Sequence, residues 1–508
     1  MYSTTKSALL DGICAHIITV EADLSTGMPM FDMVGYLSGE VREAKERVKT
    51  ALHNCEIALP PKRITVNLYP ANLRKCGTGF DLPIAVALLL AMGLADESIA
   101  SRYLFIGELS LNGRILPVNG VLPMVSDGYK NGITHFIVPK QNEAEAKLVD
   151  GAQILSFETL AEVITFLNGG SYHPGKVSGR ISKNERKSVD FSEICGQTFL
   201  KRACEVAAAG MHNMLLMGAP GTGKTMLAQR IATILPPLNA EEQLELSKIY
   251  SVCGLLQGRE ELVRERPFRN PHHTISSAGL IGGGVNPKPG EVSLAHKGVL
   301  FLDELTEFQK HTLEVLRQPL EEHEVRIVRA QSAVTYPADF LLLAAMNPCN
   351  CGYYPDMQKC RCSAGMLQRY FDKVSQPLID RMDLCVEAPA VSFLELTGQA
   401  KGEDSATIRE RVIACHKLQQ SRFAGETFCY NSKIPVSKLQ QYCALGEREM
   451  KYMQNVFDRE QLTARTYHKL LRVARTIADL ELSERITTRH LTEALCYRLV
   501  DKRFWGGV

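Results

Sequence analysis

A chain of 508 residues is long enough for roughly three domains, each with its own apolar core. Hydrophobic residues at 45% and charged ones at 22% are the balance of a globular protein, and a formal charge of +2 excludes a uniformly basic surface, so any contact with a polyanion must be local. The longest greasy run, residues 82–95, contains Pro83 and is too short to cross a bilayer, so no membrane partner is expected.

Residues 1–6 lack the charged-then-apolar layout of an export leader, which sets the expectation of a cytoplasmic protein with reduced thiols. Fifteen cysteines then become metal suspects wherever they cluster. Through residue 168, strand-like runs at 17–20, 64–68 and 135–138 alternate with helix-like runs at 41–54 and 81–92. Residues 169–190 carry Gly, Ser, Pro and Lys/Arg without an apolar period and read as a linker. From 191 to 392 the alternation returns, and the very apolar runs at 298–302 and 340–345 belong to an α/β fold whose parallel sheet is covered on both faces. Residues 393–508 are rich in Leu, Ala, Arg, Lys and Glu at helical spacing and predict a helical domain.

The most informative segment is Gly218-Ala219-Pro220-Gly221-Thr222-Gly223-Lys224-Thr225. It fits G-x-x-x-x-G-K-[ST] between an apolar run at 213–217 and a helix-compatible stretch opening at Met226. The glycines let backbone N–H groups curl around a phosphate, and the helix adds its positive dipole end. ATP with Mg²⁺ is therefore expected: Lys224 reaching the β/γ-phosphates, Thr225 holding the metal. The run at 298–302 ends in Asp303-Glu304, suited to a Mg²⁺ shell (Asp303) and to polarising an attacking water (Glu304). An acidic pair merely favoured by a helix N-terminus is the alternative, and the upstream phosphate loop argues against it. Asn347, at the end of the 340–345 run, can touch a γ-phosphate. Arg381 stands between Asp380 and Asp383, and in isolation reads as a surface ion-pair residue.

Cys349-x-Cys351 and Cys360-x-Cys362 form two close pairs on one short loop, 349–362, as a structural Zn²⁺ in an S₄ shell prefers. Disulfides and inert scattered thiols are the alternatives. His272-His273 is a lesser metal candidate, with loop hydrogen bonding an equal alternative.

The order of phosphate loop, Leu302-Asp303-Glu304, Asn347-Pro348 and Asp380-Arg381-Met382-Asp383 resembles the AAA+ ATPases of the magnesium-chelatase-like branch. More narrowly, the stretches 266–274 (RPFRNPHHT), 290–296 (GEVSLAH) and 474–480 (ARTIADL) resemble the ComM/YifB family. The resemblance implies that Asn347 is sensor 1, Arg381 an arginine finger acting in a neighbouring subunit, and Arg465 sensor 2 from a helical lid. It also implies that Gln197, after Gly196, lies near the adenine and that the chain forms a ring, expected to be a hexamer. Gln376 departs from the family's usual glycine. Residues 107–120 and 132–143 resemble the proteolytic domain of Lon-type proteases, an α+β (S5-like) fold. Its Ser position is Gly79 and its Lys position Leu122, so the dyad is missing and a scaffold or docking role is expected. Cys76 and Thr78 remain nearby without a visible base.

A ring motor moves loops that line a channel. Lys288 in the Gly/Pro segment 282–290, and Arg326 and Arg329 in a hairpin arm at 325–331, could follow a DNA phosphate backbone, or be ordinary solvated charges. The family resemblance implies a DNA-translocating, helicase-like ATPase acting on single-stranded or branched DNA, with branch migration in homologous recombination and natural transformation. A magnesium-chelatase motor subunit, a protein-remodelling chaperone and a regulated peptidase are the competing readings.

Overall fold

The structure is a computed structural model that describes residues 1–172, 189–284, 287–329, 332–389 and 402–498. Most of the expected linker, 173–188, lies outside the described residues.

A seven-stranded mixed sheet occupies the N-terminal third, in the spatial order Met30–Val34, Arg63–Tyr69, Cys14–Ser25, Tyr2–Asp11, Tyr103–Phe105, His135–Pro139, Gln153–Phe157. Helices Gly39–Asn54 and Asp81–Ala91 cover one face; helix Val121–Lys130 covers the other. Pro83 sits in the first turn of Asp81–Ala91, where its missing N–H costs nothing. The first strand faces that helix with Ser3, Thr5 and Ser7, all buried. The Ser3 hydroxyl donates to the Ala87 carbonyl at 2.6 Å and the Thr5 hydroxyl to that of Pro83 at 3.0 Å, so two polar positions inside the core find partners.

The second sheet has five parallel strands in the order Phe268–Arg269, Val299–Leu302, Leu341–Met346, Met214–Gly218, Leu384–Ala388. Its side chains alternate between two cores: Met214, Leu216, Val299 and Phe301 on one face, Leu215, Met217, Leu300 and Leu302 on the other. Helix Lys224–Ile234 leaves the carboxyl end of Met214–Gly218, the fourth strand in that order, which places its N-terminus at the carboxyl edge of the sheet.

Helices Ser405–Arg422, Glu447–Arg459, Ala464–Leu480 and Thr488–Cys496 form the C-terminal bundle, packed into the first of those cores. Asp479, fully buried, ties them together: it accepts from Arg422 at 2.6 and 2.7 Å, from Arg475 at 3.0 Å and from Asn431 at 2.8 Å. A buried carboxylate persists only when so saturated. Among the described residues no helix is long and apolar enough to cross a membrane.

The two sheets are joined by helix Ala240–Val252, which rests on Val121–Lys130. Leu122, at the position where the Lon-type fold carries its lysine, is buried with Leu238, Leu246, Leu256 and Val263. Lys248 pairs with Asp127 at 2.7 Å and the Ser251 hydroxyl donates to buried Glu145, whose carboxylate also accepts from the Leu122 N–H at 3.1 Å.

Candidate nucleotide site and cysteine cluster

The phosphate loop, the acidic pair and Asn347 all emerge at the carboxyl end of the parallel sheet because their strands are neighbours there. They border a cleft of about 200 Å³ lined by Lys224, Asp303, Glu304, Asn347, Cys349 and Tyr370, among others. Gly221 and Gly223 both have φ near +80°, a left-handed conformation that turns the loop back on itself and suits only glycine cheaply. Lys224 Nζ folds onto the loop's own carbonyls, Gly218 at 2.7 Å and Ala219 at 3.0 Å, and reaches Asn347 Oδ1 at 3.2 Å. Burial lowers its pKa while Asp303 opposes that shift. Phosphate oxygens would take over those donors without moving the side chain far, so the donor set fits a nucleotide. The Thr225 hydroxyl donates to Asp303 Oδ2 at 2.6 Å. A hydroxyl and a carboxylate meeting at the start of this helix are the hard oxygen ligands that Mg²⁺ takes beside a phosphate. Met226 is the half-exposed next residue of the helix.

Glu304 follows Asp303 with φ 52 and ψ 47, left-handed for a residue with a Cβ. Such a backbone costs about 1–2 kcal/mol. Asp303 Oδ1 accepts the Glu304 N–H at 2.9 Å and steadies the turn that carries the exposed carboxylate. Gln197 is also left-handed at φ 50, and its buried amide donates to the Thr222 carbonyl at 3.0 Å. It thus grips the phosphate loop from behind.

Sequence reasoning missed Tyr370. Its hydroxyl donates to the Asn347 carbonyl at 3.0 Å and accepts from Thr306 at 3.1 Å, fixing the strand end that carries Asn347. No spacing signal links residues so far apart in the chain.

The four cysteines of the 349–362 loop bring their sulfurs within 4.8 Å of one another. Cys349 is 3.2 Å from Cys351 and 3.8 Å from Cys360, and Cys351 lies 3.6 Å from both Cys360 and Cys362. Disulfide sulfurs stand ~2.05 Å apart, whereas Zn–S bonds of ~2.3 Å set tetrahedral edges of ~3.8 Å, so the spacing suits a metal shell and not a disulfide. The Tyr353 backbone N–H, helped by the neighbouring thiols, lowers the Cys351 pKa to about 6. The loop also touches the nucleotide site. Gly352, φ 83, packs so closely that a Cβ there would lie 2.5 Å from Pro220 of the phosphate loop.

Arg381 and Arg465 are not brought to this cleft. Arg381 is largely buried, pairs with Glu321 and donates to the Pro377 carbonyl; its Nε has no described partner. Arg465 pairs with Asp380 at 2.9 Å, beside Arg381. Arg465 thus meets the residue preceding Arg381, and both lie at the amino end of strand Leu384–Ala388, away from Lys224 at the carboxyl end of the sheet.

In the N-terminal domain, Gly79, Cys76 and Thr78 line a cavity of about 620 Å³ shared with Pro287, Lys288, Val334 and Tyr336 of the second sheet's insertions. The Thr78 hydroxyl is held by Glu108, and burial pushes the Cys76 thiol up, the reverse of activation. Lys288 is exposed, and Arg326 is spent partly on Glu324 at 2.9 Å. Strand Glu324–Arg329 pairs with Ser332–Pro337 as the expected hairpin, while the Arg329 side chain lies outside the described residues.

Three family models match the chain: magnesium chelatase, subunit ChlI, over residues 190–396; subunit ChlI of Mg-chelatase over 20–142; and the ChlI C-terminal region over 402–498. The chain is 41% identical to the competence protein ComM of Haemophilus influenzae over 496 residues, covering 96% of this chain and 95% of the relative. It belongs to the ComM/YifB family of magnesium-chelatase-like AAA+ ATPases. YifB of Escherichia coli is 40% identical over 501 residues, 98% of this chain and 97% of that one. Lon protease 1 of Thermus thermophilus is 27% identical over 161 residues, 30% of this chain and 20% of the protease. ComM/YifB membership carries ATP and Mg²⁺ as the substrate and ion of the fold, and the cysteine cluster is compatible with zinc.

Proposed function

We propose that this ComM/YifB protein is an ATP-driven ring motor, expected to be a hexamer, that translocates on single-stranded or branched DNA and promotes branch migration during recombination. The supporting observation is the division of the site. Lys224, Thr225, Asp303, Glu304 and Asn347 converge on one edge, while Arg381 and Arg465 share another. A phosphoryl-transfer site completed by an arginine from the next protomer fires only when assembled. The relative named competence protein ComM favours DNA as the polymer.

In this reading Lys224 binds the β/γ-phosphates, and Thr225 with Asp303 would hold Mg²⁺, which supplies charge neutralisation for the transferring group. Glu304 orients a water and accepts its proton. Asn347, anchored by Tyr370, senses the γ-phosphate. Arg381, released from Glu321, stabilises charge in the neighbouring site, and Arg465 accompanies it. Cys349, Cys351, Cys360 and Cys362 would hold a structural Zn²⁺, which would stiffen the loop whose Gly352 packs on Pro220. Lys288, Arg326 and Arg329 track the phosphate backbone.

The test is ATP turnover of the purified chain with and without single-stranded DNA, alongside unwinding of a forked duplex. Stimulation and unwinding are expected. Indifference to every oligonucleotide contradicts the reading. A chelatase-type motor is the second reading, favoured by the family-model descriptions, and predicts turnover that responds to a protein partner and not to DNA.

A further inference from the structure

Arg381 does not hang from a loose loop: its own carbonyl and those on either side are each claimed by a side chain from elsewhere in the fold. The Asp380 carbonyl accepts from the Lys469 ammonium, and the Arg381 carbonyl from the Asn213 amide at 3.2 Å. The Met382 carbonyl accepts from Lys469 again, at 2.8 Å, and from Arg498 at 2.5 Å. Lys469 therefore spans the residues that flank Arg381. Asn213 immediately precedes strand Met214–Gly218 and is fixed in turn, its Oδ1 accepting the Leu342 N–H at 2.9 Å. Carbonyls at the end of a short helix are ordinarily satisfied by water or by a backbone N–H, so side-chain donors on all three make a built cradle.

Lys469 is almost wholly buried, and its desolvation lowers its pKa to about 8 while Asp383 opposes the shift. Asp383 Oδ1 lies 3.7 Å from the Lys469 Nζ, and the other oxygen of that carboxylate meets His212 Nδ1 at 3.3 Å. The second ring nitrogen of His212 reaches the Thr476 hydroxyl at 2.8 Å. Arg465, Lys469 and Thr476 all belong to helix Ala464–Leu480, at spacings that set them on one face. That face meets the arginine segment from Asp380 to Asp383, so the seat of the lid helix decides where the backbone of Arg381 sits. The segment enters strand Leu384–Ala388 at its amino end. Lys224 follows the carboxyl end of the paired strand, ~13 Å further on at ~3.3 Å per residue.

We infer that Lys469 is a positioning residue for hydrolysis in the neighbouring protomer: its ammonium clamps the carbonyls on both sides of Arg381 and ties the reach of that arginine to the seating of its own lid. The inference rests on the reading of Arg381 as the arginine that completes the next protomer's site. Misplacing such a group by ~1 Å costs about 100-fold in rate. Loss of the lysine therefore acts on turnover and spares ATP binding, which uses the other end of the sheet.

The test is nucleotide titration and steady-state ATPase of the full chain as K469M, R381A and E304Q, alone and in pairwise mixtures. K469M is expected to bind ATP with wild-type affinity and to lose about 10- to 100-fold in kcat. Mixed with E304Q, whose arginine and clamp are intact, it is expected to recover turnover as R381A does. Mixed with R381A it is expected to recover none, since neither chain then offers a placed arginine. A lysine that merely stabilised the fold would not sort the two mixtures in this way. Wild-type kcat in K469M overturns the inference. So does recovery with R381A, which would assign Lys469 to its own chain's cleft, and so does a folded K469M that recovers with neither partner. Where K469M melts too low to assemble, R498M, which removes the other charged donor on Met382, is held to the same mixtures. If R381A and E304Q fail to restore each other, the underlying reading of Arg381 fails. If they succeed while K469M breaks the pattern, the inference alone fails.

Discussion

The chain carries two sites with opposite fates. In the ATPase sheet, Lys224, Asp303 and Asn347 meet within hydrogen-bonding distance of one another or of their neighbours. In the Lon-like domain, the resemblance to Lon-type proteases leads one to expect a nucleophile and its base at the positions of Gly79 and Leu122. Leu122 is fully buried against Leu238 and Leu246 of the ATPase half, so this position is part of the joint between the two halves. A fold can thus keep its layers while its chemistry is exchanged for packing.

Removing the surviving chemistry should have the largest effect. Lys224→Ala is expected to abolish nucleotide binding, and Glu304→Gln to keep binding while cutting kcat by about 10²–10⁴-fold, as read by nucleotide titration and steady-state turnover. A Glu304→Gln enzyme with normal turnover would remove the contrast between the two sites. Next, Cys351→Ser or Cys360→Ser should drop bound zinc from about one per chain, measured by metal analysis, and raise KM for ATP through the Gly352–Pro220 contact. A folded, metal-free wild type with unaltered KM would contradict this.

The lost site can be probed by rebuilding it. Gly79→Ser with Leu122→Lys should yield no peptidase activity on a labelled peptide, because the new ammonium would be buried in the joint. Leu122→Ala alone should cost about 2–4 kcal/mol and lower the melting temperature of the coupled halves. Activity in the rebuilt pair would show that the joint is not what silenced the domain.

The smallest effect sharpens the picture of the lid. His416 is buried with its Nε2 3.0 Å from the Ala208 carbonyl, and desolvation lowers its pKa to about 4. Its unfolded value is ~6.5, so between those values the unfolded chain binds the extra proton. Stability is present above ~6.5 and lost as the pH falls toward 4, by roughly 3 kcal/mol at most. His416→Gln should flatten that slope in acid-unfolding curves.

Local chemistry was legible in the sequence, and long-range placement was not. The phosphate loop, the apolar strands and the cysteine pairs declare themselves within a few residues. The first strand, Tyr2–Asp11, escaped because its core-facing positions are Ser3, Thr5 and Ser7, so the two-residue period carries hydroxyls instead of apolar groups. Helix Ala240–Val252 escaped for a related reason: it buries Ser247, Lys248 and Ser251, the last two bonded to Asp127 and Glu145 of the other half. The partnership of Arg465 with Asp380 joins residues 85 apart, which no local pattern encodes.

The central claim, that hydrolysis is shared between protomers, is tested most directly by mixing two inactive variants. Arg381→Ala supplies a complete cleft without the arginine; Glu304→Gln supplies the arginine without the base. Turnover that reappears on mixing, and peaks near equal proportions, is the expected result. Mixtures that stay as inactive as either variant alone would contradict it.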